Sequence, residues 1–321
     1  MMKAVYYREH GPASVLETGE LPRPEPGPDQ VLVRVAAAAV NPIDRRLRAG
    51  ELQEYISRTF PVVPGWDFSG DIVELGADVE GQWQVGDKVM GLAFTWAIQH
   101  GTYAEYVPVD ASAIAPMPQG VDYFQAAALP LVSLTAWQSL QEYGELCAGQ
   151  TALIQAGSGG VGSVAISMAK HLGATVYSTC SAANADYVKQ RGADVVIDYT
   201  SQDYAAVIRD QSPEGVDLVL ETLLGDGIAE TAIGLAKDNG VVVFMNNEPP
   251  EMEEIARRGI KTQFLHHRAD GAMLAELGQL YESGALPVPP IEVLPLSDAA
   301  EAHRRSESTR TRGKLVLAVR E

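Results

Sequence analysis

Residues 151–172, TALIQAGSGGVGSVAISMAKHL, decide the fold class of this chain of 321 residues. The apolar run from Thr151 to Gln155 is typical of a buried strand. Residues 161–172 are predicted to form a helix, because Gly173 follows as a typical helix end. The turn between them carries glycine at positions 157, 159 and 162, the G-x-G-x-x-G spacing of a dinucleotide-binding turn.

Each glycine of this turn has a physical reason. Gly157 permits a tight turn, Gly159 lets the backbone approach a pyrophosphate, and Gly162 allows the helix to pack closely on the strand. Free N–H groups and the helix dipole then favour an anion at this helix start. We therefore predict that the phosphate-binding turn consists of Gly157, Ser158, Gly159, Gly160, Val161 and Gly162.

Strands and helices alternate on both sides of this turn. A helix is predicted from Asp122 to Gly144, and further strands are predicted at 175–179, 195–197, 218–220 and 241–244. This alternation predicts an α/β fold with a doubly wound parallel sheet, the Rossmann arrangement, over residues 123–267.

Residues 1–122 have a different pattern. Short apolar runs, such as those at 31–35, 69–76, 85–90 and 103–107, alternate with Gly and Pro turns, which is typical of a β-barrel or sandwich. Two later runs, 291–296 and 314–319, are predicted strands that return to this unit. The first domain is therefore predicted to comprise residues 1–122, completed by 268–321.

Composition narrows the function classes. The chain is 46% apolar and 21% charged, carries two cysteines, and has a formal net charge of −18. Such a charge disfavours nucleic acid and anionic membrane surfaces as partners. The sequence has no apolar run long enough for a transmembrane helix and no signal-peptide pattern, so we expect a cytoplasmic protein.

The end of the second Rossmann strand indicates which dinucleotide would bind. An NAD site usually places a carboxylate there to bond the ribose hydroxyl. Here the sequence runs from Thr179 to Asn184 without a carboxylate, and Asp186 is expected in the next helix. This favours NADP(H), with Ser181 and Asn184 as donors to the 2′-phosphate.

The residues also carry a resemblance to a known family. The chain resembles the medium-chain dehydrogenase/reductase superfamily, in its zinc-independent quinone oxidoreductase (zeta-crystallin-like) branch. The matching stretches, in the family's order, are VNPIDRRLRAG (40–50), VPGWDFSGDIVELGADV (63–79), GDKVMGL (86–92), GTYAEYV (101–107), AAALPLVSLTAWQSL (126–140), GSGGVG (157–162), GADVVIDY (192–199) and GKLVL (313–317).

The resemblance implies a GroES-like β-barrel catalytic domain beside the Rossmann domain, and a homodimer. In zinc-dependent relatives a Cys aligns with Asn41 and a His-Glu pair aligns with Trp66-Asp67. Since this chain lacks that Cys and that His, we predict no metal site.

Without a metal, the expected substrate is already electrophilic. A quinone or an α,β-unsaturated carbonyl needs mainly positioning and hydrogen bonds to the oxygen that gains charge. We predict that Asn41 and Asp44 lie at the catalytic centre. Asn41 would bond a carboxamide, a ribose hydroxyl or a substrate oxygen, and Asp44 would organise its loop rather than act as an acid. Turn chemistry is the alternative for Asn41.

For each remaining candidate, core packing or turn formation is the alternative to a role in binding. The predicted substrate-binding side chains are Tyr55, Trp66, Phe94 and Trp96, which could equally be core aromatics. The further predicted cofactor-binding residues are Thr135, Tyr199, Asn246, Asn247 and Arg312. Either Arg312 or Lys314 is a candidate for the basic partner of the 2′-phosphate, which the strand end itself does not supply.

Two other functions stay open from the sequence. One is reduction of an enoyl thioester of the acyl-CoA type, which the acidic composition mildly disfavours. The other is a non-catalytic protein that binds NADPH for a structural or regulatory purpose. Turnover of a quinone or enone would distinguish the predicted reductase from a non-catalytic protein that only binds NADPH.

Overall fold

The structure is a computed structural model that describes residues 1–79 and 81–320. The chain divides into two compact units, which we call the barrel unit and the Rossmann unit. The barrel unit comprises Met1–Leu134, Arg268–Gly284 and Val288–Glu321, and the Rossmann unit comprises Thr135–His267 and Ala285–Pro287. The predicted first domain also includes Glu80 and Glu321, which lie outside the described residues.

Strands dominate the barrel unit and alternate with helices in the Rossmann unit. The strands are β1 (Met2–Tyr6), β2 (Glu17–Leu21), β3 (Gln30–Val40), β4 (Ser57–Arg58), β5 (Asp67–Leu75), β6 (Lys88–Leu92), β7 (Ala97–Ile98), β8 (Tyr106–Asp110), β9 (Ile114–Pro116), β10 (Thr151–Ile154), β11 (Thr175–Cys180), β12 (Val195–Asp198), β13 (Val216–Glu221), β14 (Ala236–Phe244), β15 (Lys261–Phe264), β16 (Ile291–Pro295) and β17 (Lys314–Ala318).

The helices follow the same division. They are α1 (Pro42–Ala49), α2 (Tyr123–Ala127), α3 (Pro130–Trp137), α4 (Gly160–His171), α5 (Ala185–Gln190), α6 (Tyr204–Gln211), α7 (Ile228–Leu235), α8 (Glu253–Arg258), α9 (Gly271–Glu282) and α10 (Ala299–Glu307). A π-helical turn, Gln138–Tyr143, follows α3. In the described parts of the chain, every helix is too short or too polar to span a bilayer.

The Rossmann unit contains a six-stranded sheet in the order β12-β11-β10-β13-β14-β15. Every neighbouring pair is parallel. The apolar strands are buried on both faces, with Leu153, Val219 and Phe244 all fully buried. This confirms the predicted doubly wound parallel sheet, and its order reverses beside β10, where α/β proteins bind ligands at the carboxyl ends of the strands.

The barrel unit contains a seven-stranded sheet in the order β16-β17-β3-β5-β6-β9, with β8 also paired to β3. The long strand β3 pairs with β5, β8 and β17, all antiparallel. Side chains such as Val33, Phe68 and Leu317 form its fully buried core. The predicted return of the last two strands to this unit is therefore confirmed.

Several predicted elements differ from the structure at their ends; the strand expected at 85–90, for example, is β6 at Lys88–Leu92. The helix expected from Asp122 to Gly144 is interrupted. Asp122 caps α2 by accepting a hydrogen bond from the Gln125 N–H at 2.8 Å, but α2 ends at Ala127. Pro130 then begins α3, because proline lacks the N–H that a continuous helix would need.

The strand expected at 103–107 begins three residues later, at Tyr106. The backbone before it is bonded elsewhere: the Val5 N–H donates to the Tyr103 carbonyl at 2.8 Å, and the Glu105 N–H donates to the Lys3 carbonyl at 3.0 Å. This segment therefore first bonds to β1, and from Tyr106 onward it pairs with β3 as β8. An apolar pattern alone does not reveal such a change of partner.

Candidate active site

The glycine turn lies where the sequence places it, between β10 and α4 of the Rossmann unit. A Cβ atom at Gly157 would lie 2.1 Å from the Ser178 Oγ, and one at Gly162 would lie 2.3 Å from the Ala156 carbonyl oxygen. Both contacts are far too short, so the fold itself requires these two glycines.

Gly159 is different. A Cβ atom there would meet only the Ala156 carbonyl oxygen, at 3.4 Å, and its φ of −76° suits any residue. The folded chain therefore has room for a side chain at this position. Glycine here leaves open space in front of the first N–H groups of α4, which have no acceptor within the helix. The turn thus fits a phosphate group that approaches the backbone.

Three predicted cofactor-binding side chains meet beside the turn. The Asn184 Nδ2 atom lies 3.4 Å from the Ser158 Oγ and 3.3 Å from the Ser181 Oγ. The Tyr199 N–H donates to the Cys180 carbonyl at 3.2 Å, which holds this exposed tyrosine next to the end of β11. As expected, Asp186 lies in the first turn of α5 and not at the strand end.

Asn246 and Asn247 follow β14, at the same edge of the sheet. Their side-chain amides donate to the carbonyls of Thr222 and Leu223, each at 2.8 Å. Their backbone N–H groups point at the buried Glu221 carboxylate, at 3.4 and 3.3 Å. Burial raises the pKa of Glu221. The asparagines thus bind the loop after β13, and their cofactor role stays a prediction.

Thr135 is buried and pairs with His267, a residue that the sequence did not single out as functional. The Thr135 Oγ1 lies 3.2 Å from the His267 Nδ1. Burial lowers the pKa of His267 to about 4, so its imidazole is neutral at physiological pH. The predicted cofactor contact of Thr135 stays a prediction.

In the barrel unit, Asn41 in the loop at 40–44 contacts a buried ion pair. Asn41 is 1% exposed, Asp67 0% and Lys314 3%. The Lys314 Nζ lies 3.2 Å from the Asp67 Oδ2 and also donates to the Asn41 Oδ1. The Asn41 Nδ2 donates to the same Asp67 oxygen at 2.9 Å. We call Asn41, Asp67 and Lys314 the buried triad.

The second oxygen of Asp67 is also engaged, because the Leu131 N–H at the start of α3 donates to it at 2.8 Å. Burial raises the pKa of Asp67, while the Lys314 ammonium and the Asn41 amide act in the opposite direction. Both amide atoms of Asn41 therefore have partners in the protein. Its predicted bond to a cofactor or substrate stays a prediction.

Because the Lys314 ammonium is buried and paired with Asp67, Lys314 is not the basic partner of the 2′-phosphate. Arg312, the other candidate, is exposed in the barrel unit just before β17. Its predicted phosphate contact stays a prediction.

The donor set of the triad does not suit zinc, which needs three or four Cys, His or carboxylate ligands. The resemblance aligned Asn41 and Asp67 with zinc ligands of relatives, and these two side chains do lie together. However, an ammonium group is the cation beside them. Among the residues that the structure describes, no three His, Cys, Asp or Glu side chains form a group suited to a metal ion.

Aromatic rings lead from Trp66, next to Asp67, toward the surface. Trp66 and Phe94 contact edge to face at 5.0 Å, and Phe94 and Trp96 do so at 4.9 Å. Trp66 is buried, whereas Trp96 is 60% exposed and its backbone carbonyl accepts from the Ser57 N–H at 3.0 Å. We call these three rings the aromatic ladder. Tyr55, which is 73% exposed, makes no ring contact with it among the described residues.

Comparisons with known proteins agree with this arrangement. The alcohol dehydrogenase GroES-like domain family matches residues 27–119, and the family described as zinc-binding dehydrogenase matches residues 191–317. The chain is 33% identical to the NADPH-dependent alkenal/one oxidoreductase, chloroplastic, of Arabidopsis thaliana, over 98% of this chain and 79% of that protein. This chain belongs to the medium-chain dehydrogenase/reductase superfamily.

Solved structures of this superfamily share the whole fold. The quinone oxidoreductase from Coxiella burnetii is 34% identical, with a TM-score of 0.89 and 99% of both chains covered. A mycobacterial protein, Rv1454c, solved in complex with NADPH, is 28% identical, with a TM-score of 0.88 over 99% of this chain and 100% of that one. The chain is therefore an oxidoreductase of the medium-chain superfamily, with the predicted GroES-like and Rossmann domains.

Lys314→Met tests the buried triad. The substitution leaves the Asp67 carboxylate buried without its cation, so we expect the free energy of unfolding at pH 8 to fall by about 3–5 kcal/mol. The loss should shrink as pH falls, since a carboxyl whose folded pKa is raised binds a proton more readily in the folded state. Denaturant unfolding at several pH values measures both effects.

Lys261→Met is the matched control. Lys261 pairs with Glu145 at 3.3 Å, but both side chains are well exposed, at 65% and 71%. An exposed pair contributes less than about 1 kcal/mol. Equal losses in the two variants would contradict the importance of the triad.

Proposed function

We propose that this chain uses NADPH to reduce a quinone or the activated double bond of an α,β-unsaturated carbonyl compound, without zinc. The observation that carries the proposal is the Lys314 ammonium beside Asp67, where zinc-dependent relatives are expected to hold their metal. Without a Lewis acid, alcohol oxidation and simple ketone reduction lack a group that polarises the oxygen. Quinones and enones are electrophilic enough to need mainly positioning.

The Rossmann unit supplies cofactor binding in this proposal. The turn at 157–162 binds the diphosphate through backbone N–H groups. The neighbouring Ser158, Ser181 and Asn184 donate to the 2′-phosphate, and no carboxylate follows β11 to repel it. When bound, NADPH supplies the hydride, and the protein supplies orientation. The names of the relatives support this choice of cofactor.

The barrel unit supplies substrate binding. The aromatic ladder offers an apolar surface whose outer ring, Trp96, is held in place by Phe94 and by the backbone bond to Ser57. A planar quinone gains stacking area on such a ring that a small alkenal does not. Asn41 acts as a positioning residue through its bonds to Asp67 and Lys314. A homodimer is the assembly that we propose with this function.

The direct test is NADPH consumption by the full chain at pH 8. We expect turnover with 1,4-naphthoquinone and 2-cyclohexenone, slower turnover with NADH, and none with simple ketones. Turnover of crotonyl-CoA in preference to these would instead show a thioester reductase. Tight NADPH binding with no turnover of any of these compounds would show a non-catalytic protein.

Gly159→Ala tests the phosphate-binding turn. Because the fold has room for a methyl group here, we expect an unchanged thermal midpoint but a Kd for NADPH raised by about tenfold or more, since the Cβ blocks the approach of the diphosphate. Gly162→Ala is the matched comparison and should lower the thermal midpoint. Nicotinamide fluorescence titration and thermal melts measure the two effects. Unchanged NADPH affinity in Gly159→Ala would contradict the predicted turn.

Trp96→Ala tests the aromatic ladder. We expect KM for 1,4-naphthoquinone to rise by about three- to tenfold, since an aromatic contact contributes about 0.5–1.5 kcal/mol. KM for a small enone should change little. Val85→Ala, which removes an apolar side chain that is 61% exposed elsewhere in the barrel unit, is the control. A similar change in KM for both substrates would argue against stacking.

A further inference from the structure

The Asp44 carboxylate is fully buried in the barrel unit, in the first turn of α1. One oxygen, Oδ2, accepts a hydrogen bond from the Asn41 N–H at 2.8 Å and another from the Tyr103 hydroxyl at 3.1 Å. The other oxygen, Oδ1, is buried and has no hydrogen-bond partner among the residues that the structure describes. Such an incompletely paired acid is costly in a packed interior, and its presence therefore needs an explanation.

A chain of donors points at this carboxylate. The Arg48 Nη1 lies 3.4 Å from the His303 Nδ1, and arginine only donates, so Nδ1 accepts and the imidazole proton sits on Nε2. The His303 Nε2 lies 3.3 Å from the Tyr103 hydroxyl oxygen. The hydroxyl proton is therefore free to point at Asp44. Burial lowers the pKa of His303 to about 3, which keeps this ring neutral.

The outer end of the chain is anchored by α10. The Arg48 Nη2 donates to the Glu307 Oε1 at 2.7 Å, and the Arg48 Nε donates to the Gly11 carbonyl at 3.0 Å. Arg48 is itself 2% exposed. Hydrogen bonds on two sides thus hold the Arg48 guanidinium in place. Arg48 in turn orients the His303 ring, and His303 orients the Tyr103 hydroxyl.

Other charged and titratable groups face Asp44 from the surrounding strands. Burial raises the pKa of Asp44 to about 7, and the charge of Asp67 on β5 acts in the same direction. The Asn41 N–H, Lys314 on β17 and the Tyr103 hydroxyl oppose this rise. Tyr7, just after β1, also feels the carboxylate, and burial raises its pKa to about 12, so it stays neutral.

Asp44 is connected to the buried triad through Asn41. The Asn41 backbone N–H bonds Asp44, while its side-chain amide bonds Asp67 and Lys314. Asn41 also precedes α1 as its N-cap residue, with Asp44 completing the capping box. The charge on Asp44 therefore strengthens the bond that holds the Asn41 backbone and favours the start of the helix.

We propose that the ionised Asp44 carboxylate, oriented by Tyr103 and His303, is a positioning group for the reduction, and that its protonation slows turnover. Protonation removes the charge from the hydrogen bonds of Asn41 and Tyr103, and at Oδ1 it adds a hydroxyl to an oxygen that has no hydrogen-bond partner among the described residues. Asn41 is then held less firmly. This inference rests on the proposed function, because the reduction is its readout.

The experiment is the pH dependence of kcat between pH 5.5 and 9, with saturating NADPH and 1,4-naphthoquinone. We expect the unmodified chain to lose activity by about fivefold toward low pH, with a midpoint near neutrality. Asp44→Asn keeps the shape but not the charge, so it should give a low rate that no longer varies across this range. KM should change less than kcat.

Tyr103→Phe is the second variant and keeps the test valid if Asp44→Asn fails to fold. It removes a donor that stabilises the carboxylate, so the acid limb should move to higher pH. Tyr106→Phe, three residues further along the chain, is the matched control and should leave the limb in place.

A profile without an acid limb in the active, unmodified chain would overturn the inference. So would an unmoved limb in Tyr103→Phe or a retained limb in Asp44→Asn. By contrast, absence of turnover by the unmodified chain at pH 8, where Asp44 is ionised, would count against the proposed function itself. The two failures are therefore distinguishable.

Discussion

A lysine and an aspartate share the interior of the barrel unit, and each would be strongly unfavourable there alone. Removing a carboxylate and an ammonium from water costs several kcal/mol for each ion, and the cost is offset only by close contact and further hydrogen bonds. Here Asp67 receives donors from Lys314, Asn41 and the Leu131 backbone. The pair therefore ties together β5, β17, the start of α1 and the start of α3.

The same interaction bears on chemistry. Relatives with zinc are expected to place a Cys and a His-Glu pair at the aligned positions, whereas this chain has an amide, a tryptophan and an ammonium-bound carboxylate. The Lys314 ammonium is the positive charge that balances Asp67 in this structure. The chain keeps the architecture of the medium-chain superfamily, but its polar groups here are engaged with each other, and this is why we propose a substrate that is already electrophilic.

The Rossmann unit shows a division between what folding needs and what binding needs. Gly157 and Gly162 are required by contacts within the unit, whereas Gly159 is not. Ordering a glycine on folding costs more conformational entropy than ordering another residue, and at this position no contact within the unit requires that cost. The proposed function explains its presence at the start of α4, beside Ser158, Ser181 and Asn184, by a ligand that must reach the backbone.

The sequence by itself determined the parallel sheet, the glycine turn after β10 and the lack of a carboxylate after β11, because these depend on neighbouring residues and on strand and helix periodicity. It also indicated the barrel unit and the return of β17. Only the tertiary structure decided which polar side chains pair. Lys314 meets Asp67 across 247 positions, and His303 meets Tyr103 across 200. Such pairs form because buried charges and hydroxyls must find partners wherever the fold brings them, and local sequence carries no record of that distance.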